Sequence, residues 1–262
     1  MSQSIDQLGR HVSVPVNNDR IISCVPSLTE LLFDLGAGDR VVGRTKFCIH
    51  PAEKVKNVPL IGGTKNLNIE KILSLNPTLI IGNKEENVKE QIDKLEEEVP
   101  VWISDISTMS DNMDMIALLS ELLGAQAIGK HMIADMNEKK NRYEAHQPQM
   151  QKTVLYLIWH RPIMSVGGDT FIHHMLEILG LENVCKTYTR YPELSIDDIK
   201  RLQPDYIFLS SEPFPFGQKH LSFFSAHFKD SKLMLVDGEL FSWYGSRILR
   251  SFDYFEDLKS IM

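Results

Sequence analysis

Cysteine is scarce, with only Cys24, Cys48 and Cys185 in 262 residues. An odd number without metal-ligand spacing excludes a disulfide framework and a zinc knuckle. No apolar run approaches the ~20 residues a membrane-crossing helix needs, so no membrane span is expected. Basic side chains are outnumbered, 28 Lys and Arg against 35 Asp and Glu, for a formal net charge of −7. That balance argues against nucleic acid and polybasic membrane-surface binding. Aromatic residues are almost missing from the first half: Phe33, Phe47 and Trp102 are the only three before residue 132, and 19 follow. Reaction-bearing motifs are lacking too. G-x-G-x-x-G, G-x-S-x-G and H-E-x-x-H do not occur. The stretch from Gly124 to His131 mimics a phosphate loop, but His131 stands where Ser or Thr would bind magnesium, and a helix precedes it. His50, His160, His173, His174 and His220 read as surface or solvated residues, since no H-x-x-x-H with a carboxylate partner is present. The chain is read as a non-enzyme, with no catalytic residue, no metal ligand and no intrinsic cofactor.

What is present is alternation. Arg20–Val25, Val41–Val42, Leu60–Ile61, Leu79–Ile81 and Val101–Ile103 are β-rich, with helical patterns at Leu28–Leu35, Ile69–Leu75 and Asn87–Glu97 between them. Ser27 and Glu30 have capping-box spacing at the start of the first helix, and Gly36 ends it. From Met109 to Gln147 apolar residues recur at helical spacing, with Gly124 dividing two helices. The second, Ala125–Ala145, would extend roughly 30 Å. Beyond Pro148 the alternation resumes with strands at Thr153–Trp159, Tyr206–Leu209 and Leu233–Val236 and helices at Asp169–Leu179, Ile196–Leu202 and Ser246–Ile261. Asp169 or Thr170 caps the helix after the Gly167–Gly168 turn. The acidic run Glu85–Glu98 alternates with Lys and reads as a solvated helical face. The fold class is α/β: two strand–helix lobes with mainly parallel sheets, linked by one long helix. The boundaries read 1–120, 121–148 for the linking helix, and 149–262.

An internal repeat supports the two lobes. Asn66–Gly82 aligns without gaps on Glu193–Leu209, sharing Leu, Ile, Ile, Leu, Pro and Ile at matching places. An N-cap residue opens each copy, Asn68 and Ser195, and an acid follows two positions later, Glu70 and Asp197. A weaker match pairs Leu31–Gly36 with Met175–Gly180. Ligands of open α/β sheets sit beyond the carboxyl ends of the strands, so two lobes facing each other are expected to form a ligand cleft. Pro-flanked Phe214 and Phe216 and the cluster Phe241, Trp243 and Tyr244 read as loop aromatics available to a flat ligand. Arg161, at a strand end, could pair a ligand carboxylate or phosphate.

These residues carry a resemblance. Arg20–Leu32, followed by Gly36 and Asp39–Gly43, together with Val58–Glu70 and Val236–Arg247, is similar to the helical-backbone (class III) periplasmic substrate-binding proteins of ABC importers for cobalamin, ferric siderophores and haem. The resemblance runs from about Asp6 to the C-terminus and is nearest the cobalamin-binding branch. It implies a monomer that captures a metal chelate between two lobes and delivers it to an ABC permease dimer with its ATPase. It further implies that Glu70 and Asp197 dock onto basic residues of that permease. The ligand positions it points to are Phe47, Thr64, Asn83, Met164, Tyr191 and Glu239, with Trp243, Arg161 and Arg247 added from their own places in the sequence. Thr64 and Asn83 stand where a cobalamin-binding relative has Trp, Met164 replaces a Phe, Phe47 and Tyr191 keep an aromatic, and Glu239 keeps an acid. The family is periplasmic, whereas Met1–Arg10 is polar and lacks a signal peptide; with that start native, the chain reads as cytoplasmic. The rival readings are a cytosolic corrinoid or chelate binder uncoupled from transport, and, behind it, an enzyme on the same two-lobe frame.

Overall fold

Two separate parallel sheets form, one in each of two compact units: Met1–Asn137 with Tyr244–Leu249, and Glu138–Trp243 with Arg250–Met262. The computed structural model describes residues 2–146 and 152–262, so the expectation that the linking helix closes at Gln147–Pro148 lies outside the described residues.

Unit 1 opens with an antiparallel hairpin, β1 (Ser2–Ile5) and β2 (His11–Val14). Sequence reasoning missed it, although Asp6 and Gly9 signal a turn. The buried Asp6 carboxylate accepts from Leu8 N (3.0 Å), Arg10 N (2.9 Å) and Ile103 N (3.3 Å). Then follow β3 (Ile21–Ser23), α1 (Pro26–Asp34), β4 (Val41–Arg44), the short α2 (Ala52–Val55), a small hairpin of β5 (Gly62–Gly63) and β6 (Asn66–Leu67), α3 (Ile69–Ser74), β7 (Leu79–Asn83), α4 (Lys89–Glu96), β8 (Val101–Ser104) and α5 (Met109–Leu123). The sheet runs β4-β3-β7-β8, all parallel. Ile21, Ile22, Ile80, Ile81 and Trp102 are buried on it, as expected for strands covered on both faces. Gly124, at φ 72°, ends α5, and α6 (Gln126–His146) begins two residues later, so the division at Gly124 holds. The boundary between the two units falls within α6.

Unit 2 contains β9 (Lys152–Trp159), β10 (Met164–Ser165), α7 (Phe171–Leu179), β11 (Leu181–Asn183), α8 (Ile196–Leu202), β12 (Tyr206–Ser210), α9 (Gln218–His227), β13 (Lys232–Val236) and α10 (Glu239–Ser242), and α11 (Ile248–Ser260) runs into it. β11, β12 and β13 are parallel to their neighbours, with β11 and β12 flanking β9, and β10 adds an antiparallel pair at the carboxyl end of β9. The core is aromatic: Phe241 lies 4.9 Å from Phe255, 5.1 Å from Tyr156 and 6.1 Å from Phe208, centroid to centroid.

Each unit places its first long parallel strand centrally, the next parallel strand beside it at one edge, and the two after that on the other side: β4-β3-β7-β8 and β11-β9-β12-β13. The sequence repeat maps onto this order. Asn68 accepts from Lys71 N (2.9 Å) and Ser195 from Asp198 N (3.1 Å), capping α3 and α8. Each helix is followed by a left-handed residue before a proline, Asn76 at φ 48° and Gln203 at φ 45°, and then by β7 or β12. The weaker repeat maps onto the ends of α1 and α7, where Gly36 (φ 79°) and Gly180 (φ 85°) turn the chain.

Four local expectations are corrected. Ser27 and Glu30 form no capping box: Pro26 starts α1 behind an extended Val25 with no side-chain cap, and Glu30 turns inward to Arg247. Leu60 makes only an isolated bridge to Arg44, because the chain turns at Gly62 (φ 109°) into β5–β6. Phe216, Phe241, Trp243 and Tyr244 are buried rather than offered at the surface, with Phe216 packed against Leu209, Phe224 and Phe228. His220 is buried as well, its Nδ1 accepting from Gly217 N (3.0 Å) at the start of α9.

The edge of unit 2 holds an acid-sensitive contact. Asp205 accepts from Lys152 Nζ (2.7 Å), Thr153 N (2.8 Å) and Thr153 Oγ1 (2.9 Å), and the lysine hydrogen bond leads in bringing its carboxyl down to about 2. A lowered folded-state value stabilises above the unfolded value near ~4 and is lost as pH falls towards the folded one. Asp205→Asn should therefore lower stability at neutral pH by about 1 kcal/mol, solvent screening discounting the rest. It should also flatten the decline between pH ~4 and ~2; urea midpoints across that range that decline as in the parent protein would count against it.

Candidate functional site

At the carboxyl ends of the unit 1 strands, two buried asparagines weld the loops together. Asn83, the last residue of β7 and 2% exposed, donates to Ser104 O (3.1 Å) and Ser104 Oγ (3.0 Å) and accepts from Glu85 N (2.8 Å) and Glu86 N (3.0 Å). Asn87 accepts from Asn83 N (2.9 Å) and donates to Cys24 O (3.3 Å) and Thr64 O (3.1 Å). The ends of β3, β7 and β8 and the turn at Thr64 are thus held as one rim. Asn83 shapes this rim through its own amide, and Thr64, also buried, contributes its carbonyl. On the rim, burial pushes the Glu86 carboxyl up, opposed by the Lys65 charge and reinforced by Glu85. Burial also pushes the Tyr244 phenol up, with Glu86 adding to it. Beyond β4, Phe47 is 50% exposed and Lys46 Nζ lies 4.9 Å from its ring centroid.

The unit 2 rim is aromatic. Trp159 ends β9 at 38% exposure, with its indole N–H donating to Arg161 O (3.1 Å) and Phe214 edge-on at 5.5 Å. Met164 is its antiparallel strand partner, and Arg161 is exposed. The His160 ring lies 5.1 Å from His220, 5.3 Å from Phe223 and 5.8 Å from Phe214. Desolvation lowers both imidazoles below the usual histidine range, and for His160 the neighbouring His220 and Arg161 charges act in the same direction. Both therefore favour the neutral ring at neutral pH. At the end of β12, Ser210 accepts from Tyr156 OH (3.0 Å) and Glu212 N (3.2 Å). By the repeat alignment Ser210 stands where unit 1 has Asn83, and Glu212 stands where it has Glu85. Trp243, 7% exposed, donates its indole N–H to Glu212 Oε2 (2.9 Å) and so fixes that acid. Glu239 opens α10, half-buried, with its backbone N–H on Asp237 Oδ1 (3.0 Å). Tyr191 carries the Arg190 guanidinium 5.6 Å from its ring centroid.

Of the ligand positions expected from sequence, Phe47, Thr64 and Asn83 gather on the unit 1 rim, and Arg161 and Met164 gather around Trp159 in unit 2. Arg247 has a different setting. Its side chain is 6% exposed and donates through Nε to Glu30 Oε2 (2.7 Å) and through a terminal nitrogen to Glu30 Oε1 (2.9 Å). Glu70 and Asp197 are exposed in the first turns of α3 and α8. Sequence reasoning gave Trp159 no site role. Its signal was its place as the outward residue closing a strand of buried neighbours, Val154–Ile158. Among the described residues, no group of three or more His, Cys, Asp or Glu side chains could hold a metal ion, and no helix is long and apolar enough to cross a membrane.

Comparison with known proteins agrees with this architecture. A family model for periplasmic binding proteins matches residues 21–234. An uncharacterised ABC transporter substrate-binding lipoprotein, YvrC of Bacillus subtilis, is 27% identical over 212 residues, covering 77% of this chain and 67% of the relative. The vitamin B12-binding protein of Vibrio parahaemolyticus is 26% identical over 195 residues, 73% of this chain and 70% of its own. Two solved structures share the fold. The apo periplasmic haem-binding protein RhuT of Roseiflexus sp. RS-1 has a TM-score of 0.81 at 23% identity, covering 91% of this chain and 97% of its own. The periplasmic vitamin B12-binding protein BtuF of Vibrio cholerae has a TM-score of 0.79 at 21% identity, covering 93% and 97%. With its doubled parallel-sheet architecture and a match over most of its length, the chain belongs to the periplasmic binding protein family.

Proposed function

We propose that this chain is the substrate-binding component of an ABC importer: it captures a metal chelate (a corrinoid, a ferric siderophore or a haem) and delivers it to a permease with its ATPase. The observation that carries this reading is the doubled rim, in which the same strand order presents loops welded by buried polar side chains at the carboxyl ends of each parallel sheet. Such loops hold their side chains in fixed positions, which limits the entropy lost on binding. Phe47, Thr64 and Asn83 would serve from unit 1, and Arg161, Met164, Tyr191, Glu239 and Trp243 from unit 2, with Trp159 joining them. Arg247 would serve at one remove, through the unit 1 anchor it makes with Glu30. Affinity comes from aromatic and apolar area, with Arg161 and Glu239 orienting polar groups of the ligand. The protein acts as a monomer outside the cytoplasmic membrane. The repeat-related acids Glu70 and Asp197 form its docking points for a two-fold permease.

Trp159 is the reporter. Titration with cyanocobalamin, haem and a panel of ferric siderophores should give saturable quenching of tryptophan fluorescence for one class. Trp159→Phe should diminish that signal, because Trp159 is the most exposed of the three tryptophans. Absence of saturable binding for all three classes sinks the proposal.

A further inference from the structure

We infer that His160 and His220 form an acid-operated latch within unit 2. Closed at neutral pH, it holds the first turn of α9 and the 213–217 loop against the end of β9; proton uptake releases both. It needs no ligand and involves unit 2 alone.

The start of α9 lacks an ordinary cap. Gly217 stands at the N-cap and has no side chain to offer. Its own N–H is taken up from three residues on, where His220 Nδ1 accepts it at 3.0 Å. This is the returning half of a capping box, a role that Glu or Gln fills in the common motif. A glutamate would keep accepting until protonated near pH ~4, and a glutamine at every pH. Histidine makes the contact conditional. As an acceptor, Nδ1 carries the lone pair, and the neutral ring holds its hydrogen on Nε2. Protonation puts a second N–H on Nδ1, opposed to the Gly217 N–H. It also sets a positive charge at a helix N-terminus, where the dipole disfavours it.

The same ring joins three segments. His220 is 6% exposed, with its centroid 5.1 Å from Phe214, 5.3 Å from Phe216 and 5.1 Å from His160. His160 directly follows β9 and lies 5.3 Å from Phe223 and 5.9 Å from Phe224 of α9. Phe214 N donates to Ile158 O (3.3 Å), tying the loop to the strand from its other side. The ring faces around the pair can hold one cation. Two imidazoliums 5.1 Å apart in one apolar cage repel each other, so the pair titrates as a coupled unit.

The surroundings do not offset a proton. Burial leads in lowering both rings below the usual histidine range, and the charges that add to it are all positive: Lys219 on both rings, His220 and Arg161 on His160. The His227 ring lies 5.0 Å from that of Phe223. Glu212, the acid of the loop, is bonded to the Trp243 indole (2.9 Å). The core packed against Phe216 and Phe224, with Leu155, Leu157, Leu209 and the neutral thiol of Cys185, brings no charge. A histidine whose folded value lies below the ordinary ~6.5 stabilises fully above that pH, and its contribution is lost as pH falls towards the folded value. Opening also takes Phe214 from Trp159, against which it lies edge-on at 5.5 Å, so the proton is felt at the aromatic rim.

The test is amide hydrogen exchange of the full chain by NMR between pH ~7.5 and ~5, read as protection factors, with the His220 ring followed in the same samples. His220 N and Leu221 N donate to Gly217 O (2.8 and 3.2 Å). These two amides and that of Gly217 should lose about tenfold in protection below pH ~6.5. Ile199 in α8, whose N–H is on Ser195 O (3.1 Å), should keep its protection in parent and variants alike. The His220 ring should be the Nε2–H tautomer at neutral pH. His220→Asn, whose Oδ1 accepts in place of Nδ1 and takes up no proton, should stay protected at every pH. Lys219→Gln removes a charge that opposes the imidazolium and should shrink the loss. Protection of the three amides that stays level while His220 becomes charged overturns the inference. So does a loss of equal size in His220→Asn, or a neutral ring with its hydrogen on Nδ1.

Discussion

Arg247→Ala should lower the unfolding free energy of unit 1 by about 3–5 kcal/mol, the range for breaking a buried ion pair from one side. The Arg247 and Glu30 side chains are 6% and 4% exposed and meet through two hydrogen bonds. Removing the guanidinium takes two hydrogen bonds and the opposite charge from a buried carboxylate. The pair joins residues 217 apart in sequence and holds Tyr244–Leu249, a segment flanked on both sides by unit 2, within unit 1. Beside it, Gly245 N donates to Asn112 Oδ1 (2.5 Å), and Gly245 takes φ 83°, where a Cβ would stand 3.3 Å from Ser27 O. The segment is therefore pinned to α1 and α5 together. Urea unfolding followed through Trp102, which lies in the unit 1 core, reads this loss directly. The double variant Glu30→Gln, Arg247→Met should lose less than Arg247→Ala, since neither partner leaves a bare buried charge. A single-variant loss below about 1 kcal/mol, the scale of a surface pair, would show that solvent reaches the pair.

Glu30 also shows where local patterns mislead. Ser27 and Glu30 have the spacing of a capping box, and a window of four residues contains nothing to contradict it. The competing partner lies at position 247, beyond the reach of any local pattern, and Pro26 supplies the first helical position without needing an N–H. Long-range pairing overrode a short motif. The repeat was legible for the opposite reason. Cap residue, helical apolar positions, left-handed Asn76 or Gln203, proline and strand are all written within one stretch of sequence, and the structure places each copy at the same point of its sheet.

The rims were legible only in part. A strand end located Arg161, because the carboxyl ends of parallel strands follow from the alternation itself, whereas Phe47 and Asn83 came from the family resemblance; Asn83 closes β7 and Phe47 lies beyond β4. Which of them face solvent did not follow. Asn83 is an amide whose four partners come from Ser104, Glu85 and Glu86, and nothing near it in sequence distinguishes such a residue from an open one. Phe216 and Tyr244 sit next to proline or glycine, and Trp243 adjoins Tyr244, so all three read as loop aromatics. Their burial depends on close packing among segments remote in sequence, such as Glu212 reaching the Trp243 indole. Gly167–Gly168 was visible as a turn, whereas its second consequence, the close approach of the Lys186–Arg190 backbone, required coordinates.

On the proposed importer role, changing Glu70 and Asp197 together to Ala should abolish productive association with a permease and leave chelate affinity as it was. Both acids lie on the surface, in the first turns of α3 and α8, the two helices that the repeat makes equivalent. Their structural contribution is small. A carboxylate near a helix N-terminus gains ~0.3–1 kcal/mol from the dipole, and the Asp197–Lys200 contact is long at 3.7 Å between exposed side chains. Asn68 and Ser195 continue to cap both helices in the variant, so the fold should survive with a urea midpoint close to that of the parent. Loss of function would then come from the missing charges. Two acids at equivalent points of two related units can meet basic residues repeated by the two-fold axis of a permease dimer, and exposed pairs of this kind act largely by steering encounter and fixing register. Each single variant should retain partial stimulation of the ATPase, the pair together almost none, and raised salt should weaken the parent's association in the same manner. ATPase stimulation by the ligand-loaded double variant at the parent's level would exclude these acids as the docking points, while a parallel loss of chelate affinity would show that they act within the ligand site.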